Sequence, residues 1–181
     1  MTGSTKILRC GAGLLAVFFA SAASAQGNAG HGKELEGLPR LLAMEEMKNL
    51  RLTFCRALDS HDWPALRSTI TDDFRQYFAE TKGPGGPDVR PPIRTTGGDA
   101  YVAFVKNILK GQSIHICTMP QFEYVTADHA RASWFINGYG AIASQSGLGY
   151  ERLIEDYVRI GGKWRISAVD ARVEAHVGFP E

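Results

Sequence analysis

Beyond Gly111 the apolar residues of this chain stop recurring every three to four positions and begin to alternate, and that change of period limits the fold more than any other feature. Before it, Leu38, Leu41, Leu42, Met47, Leu50, Phe54, Ala57 and Leu58 fall at helical spacing and predict a first helix ending near "DSHD". Asp62 is placed to cap a short second helix, "WPALRSTI", with Pro64 tolerated in its first turn. "DFRQYFAE" reads as a strand. Lys82 to Gly98 is a long connection whose prolines and glycines predict no regular structure, either a lid or binding loop or a merely tolerated insertion. "DAYVAFVKNILKG" is an amphipathic helix with Gly111 as its stop signal. Four strands follow, Ser113–Val125, Ala130–Tyr139, Tyr150–Ile160 and Lys163–Val177, joined by the hairpin links "TADH", "GAIASQSGLG" and "GG". Helices first and a long antiparallel meander last make an α+β fold, with the sheet curved around the early helices and a cavity between them.

The N-terminus is expected to stand apart. Lys6 and Arg9 precede an apolar run from Gly11 to Ala20, and small residues follow in "ASAASA". That order predicts a secretory signal peptide over residues 1–25, cut between Ala25 and Gln26, with a flexible Gly-rich arm over 26–37 and the folded domain over 38–181. The mature chain is then exported, periplasmic or secreted, and keeps two cysteines, Cys55 and Cys117, where a disulfide is allowed. A net charge of +1 and the absence of a Lys/Arg run argue against nucleic acid or an anionic membrane surface as partner. The apolar run is too short to span a membrane stably, so no membrane association is expected after cleavage.

The strand "SIHICTMPQFE" carries the first chemical signal. Strand parity puts His115 and Cys117 on one face and Ile114, Ile116 and Thr118 on the other. Both faces look buried, so the imidazole needs a partner. "RALDSHDW" supplies a candidate in Asp59 at the end of the first helix, one turn after Cys55 and beside the apolar Phe54 and Leu58. A pairing of Asp59 with His115 would bring the two cysteines together on the same facing surfaces. His31, His61, His129 and His176 show no metal-ligand spacing.

"CRALDSHDWPAL…DDF", "GGDAYVAFV", "SIHICTMPQFEYVTADHARASWF" and "EDYVRIGGKWRIS" together resemble the SnoaL-like, nuclear-transport-factor-2-like superfamily, over roughly residues 44–177. The resemblance implies a cone-shaped curved antiparallel sheet wrapped around the N-terminal helices, with a deep apolar pocket. The superfamily holds polyketide cyclases, scytalone dehydratase, ketosteroid isomerase and lindane dehydrochlorinase beside non-catalytic dioxygenase subunits, so fold alone does not decide function. Its dehydratase and dehydrochlorinase branches pair an aspartate and a histidine at positions matching Asp59 and His115. The physical logic agrees. A neutral imidazole in an apolar cone is a usable base, and a carboxylate on its other nitrogen sets the tautomer and stabilises the imidazolium.

The departures from that pattern are specific. Phe54 stands where the dehydrochlorinase carries a lysine, Leu58 where scytalone dehydratase has a tyrosine, and Trp134 where it has a second histidine. Arg172 is the nearest candidate for an arginine that recurs in the last strand, although Val169 aligns more simply. Tyr77, Trp134 and Arg172 are therefore the expected substrate-binding residues, with Asp59 and His115 the expected catalytic pair. The reading is a cofactor-free, metal-free lyase or isomerase (dehydratase, cyclase or isomerase) acting on a small apolar molecule. The competing reading is a non-catalytic ligand-binding or scaffold module, and the resemblance allows a homodimer through the outer sheet face.

Overall fold

Residues 32–142 and 145–178 are described by the structure, a computed structural model. The leader expected over 1–25 and the start of the 26–37 arm lie outside the described residues. At the other end of that arm, Leu35 N donates to Val125 O at 2.8 Å and Glu34 bridges to Thr126, so these residues are tied to the domain.

The helical elements follow the local signals closely. Helix α1 (Gly37–Asp59) buries Ala43, Met47, Arg51, Phe54, Cys55 and Leu58, one stripe at the 3.6 period. Leu38, Leu41 and Leu42, expected on that stripe, stay exposed, because burial begins only at Ala43. Helix α2 (Trp63–Thr69) starts where its cap predicts, with Ala65 N donating to Asp62 Oδ1 at 3.0 Å. Helix α3 (Gly98–Ile108) ends before Gly111, and the chain passes directly into a strand.

The described residues also form seven strands: β1 (Ile70–Glu80), β2 (Ile93–Thr96), β3 (Leu109–Cys117), β4 (Gln121–Val125), β5 (His129–Ile142), β6 (Gln145–Ile160) and β7 (Lys163–Gly178). They pair in the order β2-β1-β7-β6-β5-β3, with β4 also on β5. Three expectations need correction. The strand expected over Ser113–Val125 is two strands, because Pro120 has no N–H for the ladder; β3 and β4 lie against different stretches of the long β5. The 82–98 connection contains β2, placed just beyond its last proline pair. The sheet is mixed, not antiparallel throughout: β1 runs parallel to β7, from Arg75↔Ala168 to Glu80↔Val173. Parallel neighbours cannot be joined by a hairpin, and here the chain from β2 to β6 forms the crossover between β1 and β7.

The curled sheet closes around α1. Met47, Phe54 and Leu58 of the helix pack with Phe74, Trp134, Ile136 and Tyr157 of the sheet in one core. Within it sits an ion pair. Arg51 Nη1 donates to Glu155 Oε1 at 2.7 Å, and both side chains are buried. Tyr157 donates its hydroxyl to the other Glu155 oxygen, and Trp134 Nε1 donates to Tyr157 Oη at 2.9 Å. A connected polar network thus runs through the core of the cone.

One contact at the start of α3 leads to a direct test. A Cβ on Gly98 would lie 2.6 Å from the Thr71 carbonyl oxygen and 2.8 Å from Arg67 Cζ. Arg67 is held there by Asp99, at 2.6 Å, and by Asp72, so it has little freedom to retreat. Gly98→Ala is expected to cost about 1–3 kcal/mol through overpacking. Its urea midpoint measures this, and an unchanged midpoint would mean the helix start shifts freely.

Candidate functional site

Asp59 is the last residue of α1, where the negative end of the helix dipole disfavours a carboxylate. Three donors compensate. Ser113 Oγ donates to Oδ1 at 2.9 Å, the His115 backbone N–H donates to Oδ2 at 2.9 Å, and the His115 ring meets Oδ1 through Nδ1 at 2.6 Å. Ser113 and His115 reach the same carboxylate because they are two apart on β3 and share a face. Both members of the pair are partly exposed, with side-chain accessibilities of 18% for His115 and 23% for Asp59.

The electrostatics set the tautomer. Burial works to raise the Asp59 pKa, but the hydrogen bonds from the His115 ring and backbone outweigh it and hold the carboxyl below its ordinary value. Burial likewise opposes charging of the His115 ring, and the Asp59 hydrogen bond and charge overcome that, leaving the imidazole above its ordinary value. An ionised carboxylate only accepts, so Nδ1 carries the proton and Nε2 keeps its lone pair. That nitrogen borders Gly138, the cross-strand neighbour of His115: a Cβ there would lie 4.0 Å from it.

Cys55 and Cys117 are neighbours beneath the pair, as their places on α1 and β3 require, and both are free. Neighbouring Cys55, together with Arg51, draws the Cys117 pKa down to about 7, while Cys117 and burial push Cys55 up. Among the described residues no group of three or more His, Cys, Asp or Glu is placed to hold a metal.

The other three expected residues lie elsewhere. Trp134 faces the concave side but is only 2% exposed and is bound into the Glu155 network. Tyr77 and Arg172 lie on the convex side: Arg172 alternates with the buried Ala171, and Tyr77 pairs across the ladder with Asp170. There Arg172 stacks over the Tyr77 ring at 4.9 Å and bonds Asp170, while Tyr77 donates to Asp88 Oδ2 at 2.7 Å. The structure does not bring them to Asp59 and His115. The reason for Tyr77 is the alternation of β1: it lies three residues after Phe74, which is buried in the concave core, so the two side chains take opposite faces. Val169, the other position considered for the recurring arginine, does face inward and is uncharged.

Sequence reading missed Ser113 and Glu151. Ser113 had a usable signal, being two residues before His115. Glu151 had a weaker one, since its face follows from parity with the buried Leu153 and Glu155 only once β6 is paired.

The SnoaL-like domain family matches residues 39–170. No curated protein matches the chain. Among solved structures, the proposed scytalone dehydratase of Novosphingobium aromaticivorans superposes with a TM-score of 0.64 at 15% identity, covering 78% of this chain and 90% of that one. The hexachlorocyclohexane dehydrochlorinase LinA-type3 of Novosphingobium barchaimii gives 0.64 at 20% identity, covering 78% and 93%. An NTF2-like protein of unknown function from Pseudomonas putida KT2440 gives 0.57 at 20% identity, covering 73% and 87%. At these identities the likeness establishes a shared cone-shaped α+β fold. With that fold and a family match running from the first helix into the last strand, the chain belongs to the SnoaL-like domain family.

Proposed function

We propose that the protein is a cofactor-free lyase or isomerase in which His115 removes a proton from a carbon of a small apolar substrate. The observation that carries this reading is the 2.6 Å contact of Asp59 with Nδ1, which presents Nε2 as a base toward the space beside Gly138. Asp59 orients the ring and stabilises the imidazolium formed on proton abstraction. Elimination, cyclisation and isomerisation share this first step. Export through the N-terminal leader belongs to the same proposal, supported by the order of basic, apolar and small residues there. So does pairing of two copies through the convex face, supported by the exposed Ile114, Ile116 and the stacked Phe135 and Tyr150.

A second reading, a scaffold or binding module without chemistry, draws on the polar network in the core of the cone, where Arg51, Glu155, Tyr157 and Trp134 are buried together. Hydrogen–deuterium exchange separates the two. Incubated in D2O with a panel of small cyclic ketones, the protein is expected to accelerate exchange of the hydrogens next to the carbonyl, followed by proton NMR. His115→Ala is expected to lower that rate by about 100-fold or more. Equal exchange with both proteins across the panel would favour the scaffold.

A further inference from the structure

We propose that Glu151 is the acid that works with His115, protonating the oxygen that leaves from a substrate lying over Gly138 and Gly149. This deepens the reading of His115 as base and rests on it. His115, Gly138 and Gly149 stand in one row across three strands, each directly paired with the next. A Cβ placed on Gly138 would be 3.7 Å from His115 Cδ2 and 4.0 Å from both His115 Nε2 and Glu151 Oε1. One on Gly149 would be 3.8 Å from the same Glu151 oxygen. The imidazole nitrogen left free by Asp59 and the Glu151 carboxyl therefore border one gap, floored by two glycines.

Nothing among the described residues demands glycine at these positions. Neither has a left-handed backbone, and the contacts a methyl group would make are ordinary ones. What the missing side chains leave is room. Glu151 also differs from the other carboxylates of its strand and the next. Glu155 is held by Arg51 and Tyr157, and Glu174 by Arg152, whereas Glu151 makes no hydrogen bond or ion pair among the described residues. Burial raises its pKa, against the opposing pull of His115 and Arg51, which favours the protonated form an acid needs.

The step balances without a further reactant. His115 Nε2 takes the hydrogen from the carbon beside a carbonyl, and that C–H pair becomes the new C=C bond. The C–O bond on the next carbon breaks, its electron pair stays with oxygen, and the Glu151 proton completes a water molecule. The imidazolium then returns its proton to the Glu151 carboxylate, restoring both. A leaving hydroxyl needs this proton and a leaving chloride does not, so an acid at Glu151 fits β-hydroxy carbonyl compounds.

3-Hydroxycyclohexanone and 3-chlorocyclohexanone give the same product, cyclohex-2-enone, and its absorbance reports both reactions. Glu151→Gln is expected to slow loss of water by about 100-fold or more while chloride loss and carbonyl-adjacent exchange change only severalfold. Gly138→Ala, which the contact distances allow to fold, is expected to slow both substrates by filling the gap. Equal slowing of both by Glu151→Gln, slowing of neither, or a wild-type protein that expels chloride but not water would each overturn the assignment. Failure of the base reading looks different: exchange and chloride loss would survive in His115→Ala, and the role of Glu151 would fall with it.

Discussion

Asp59→Asn is expected to lower turnover by about 10²–10⁴-fold and to move the acidic limb of the pH profile to lower pH. The rate falls because an amide in place of the carboxylate can donate to Nδ1, which moves the ring proton to Nε2 and removes the lone pair that faces the gap. The limb moves because the groups on His115 oppose each other. Burial depresses the charging of the ring, and the Asp59 bond and charge, with smaller help from Cys55 and Glu151, lift its pKa above the ordinary imidazole value. With the Asp59 charge gone, the largest influence opposing burial is lost, so the ring stays neutral to lower pH. The wild type should therefore gain activity as pH rises through a value above the usual imidazole range, and the variant should do so below that. The fold is expected to survive, since the substitution also removes a carboxylate from the negative end of α1. A steady-state pH series with a thermal melt alongside measures both effects. A variant whose limb moves upward, or whose melting temperature collapses together with its rate, would mark the pair as structural.

Arg51→Met should give the largest loss of stability, about 3–5 kcal/mol near neutral pH, by leaving the Glu155 carboxylate buried without its cation. The pH dependence of that loss has a definite sign. Burial raises the Glu155 pKa, and Arg51 is the strongest influence working the other way. In the variant the folded-state pKa climbs further above the unfolded value, so the folded chain holds a proton that the unfolded chain releases. Stability then falls as pH rises beyond the unfolded carboxylate range. Urea midpoints at pH 5 and pH 8 should separate the variant from the wild type more at the higher pH. Adding Glu155→Met should recover most of the loss, because an apolar pair of similar volume removes the unpaired charge. A single variant as stable as the wild type at both pH values would show that Glu155 is already neutral in the native protein and that Arg51 contributes packing alone.

Much of the site was legible because its parts are local. The cap at Asp62, the end of α1 at Asp59 and the shared face of His115 and Cys117 each depend on residues a few positions apart, where the helical and strand periods determine direction. That Asp59 and His115 should meet came from the resemblance to a family, and the 2.6 Å contact agrees with it. The sequence by itself determined the α+β class, most of the order of elements and the face that His115 shares with Cys117, while β2 and the break at Pro120 escaped it.

What only the tertiary structure decided is everything that depends on register between strands. Alternation within "DFRQYFAE" puts Phe74 and Tyr77 on opposite faces, but only the closed sheet decides that Phe74 takes the concave one and Tyr77 the convex one. Arg51 and Glu155 find each other across 104 residues, each looking in sequence like a charge on a solvated face. Gly149 reads as part of a hairpin link and Gly138 as an unremarked strand position until the ladder of β5 and β6 sets them side by side near His115 and Glu151. Periodicity fixes the face a side chain takes within its own element; which residue of another strand it meets depends on bulges and pairing, and those are settled only when the whole sheet closes.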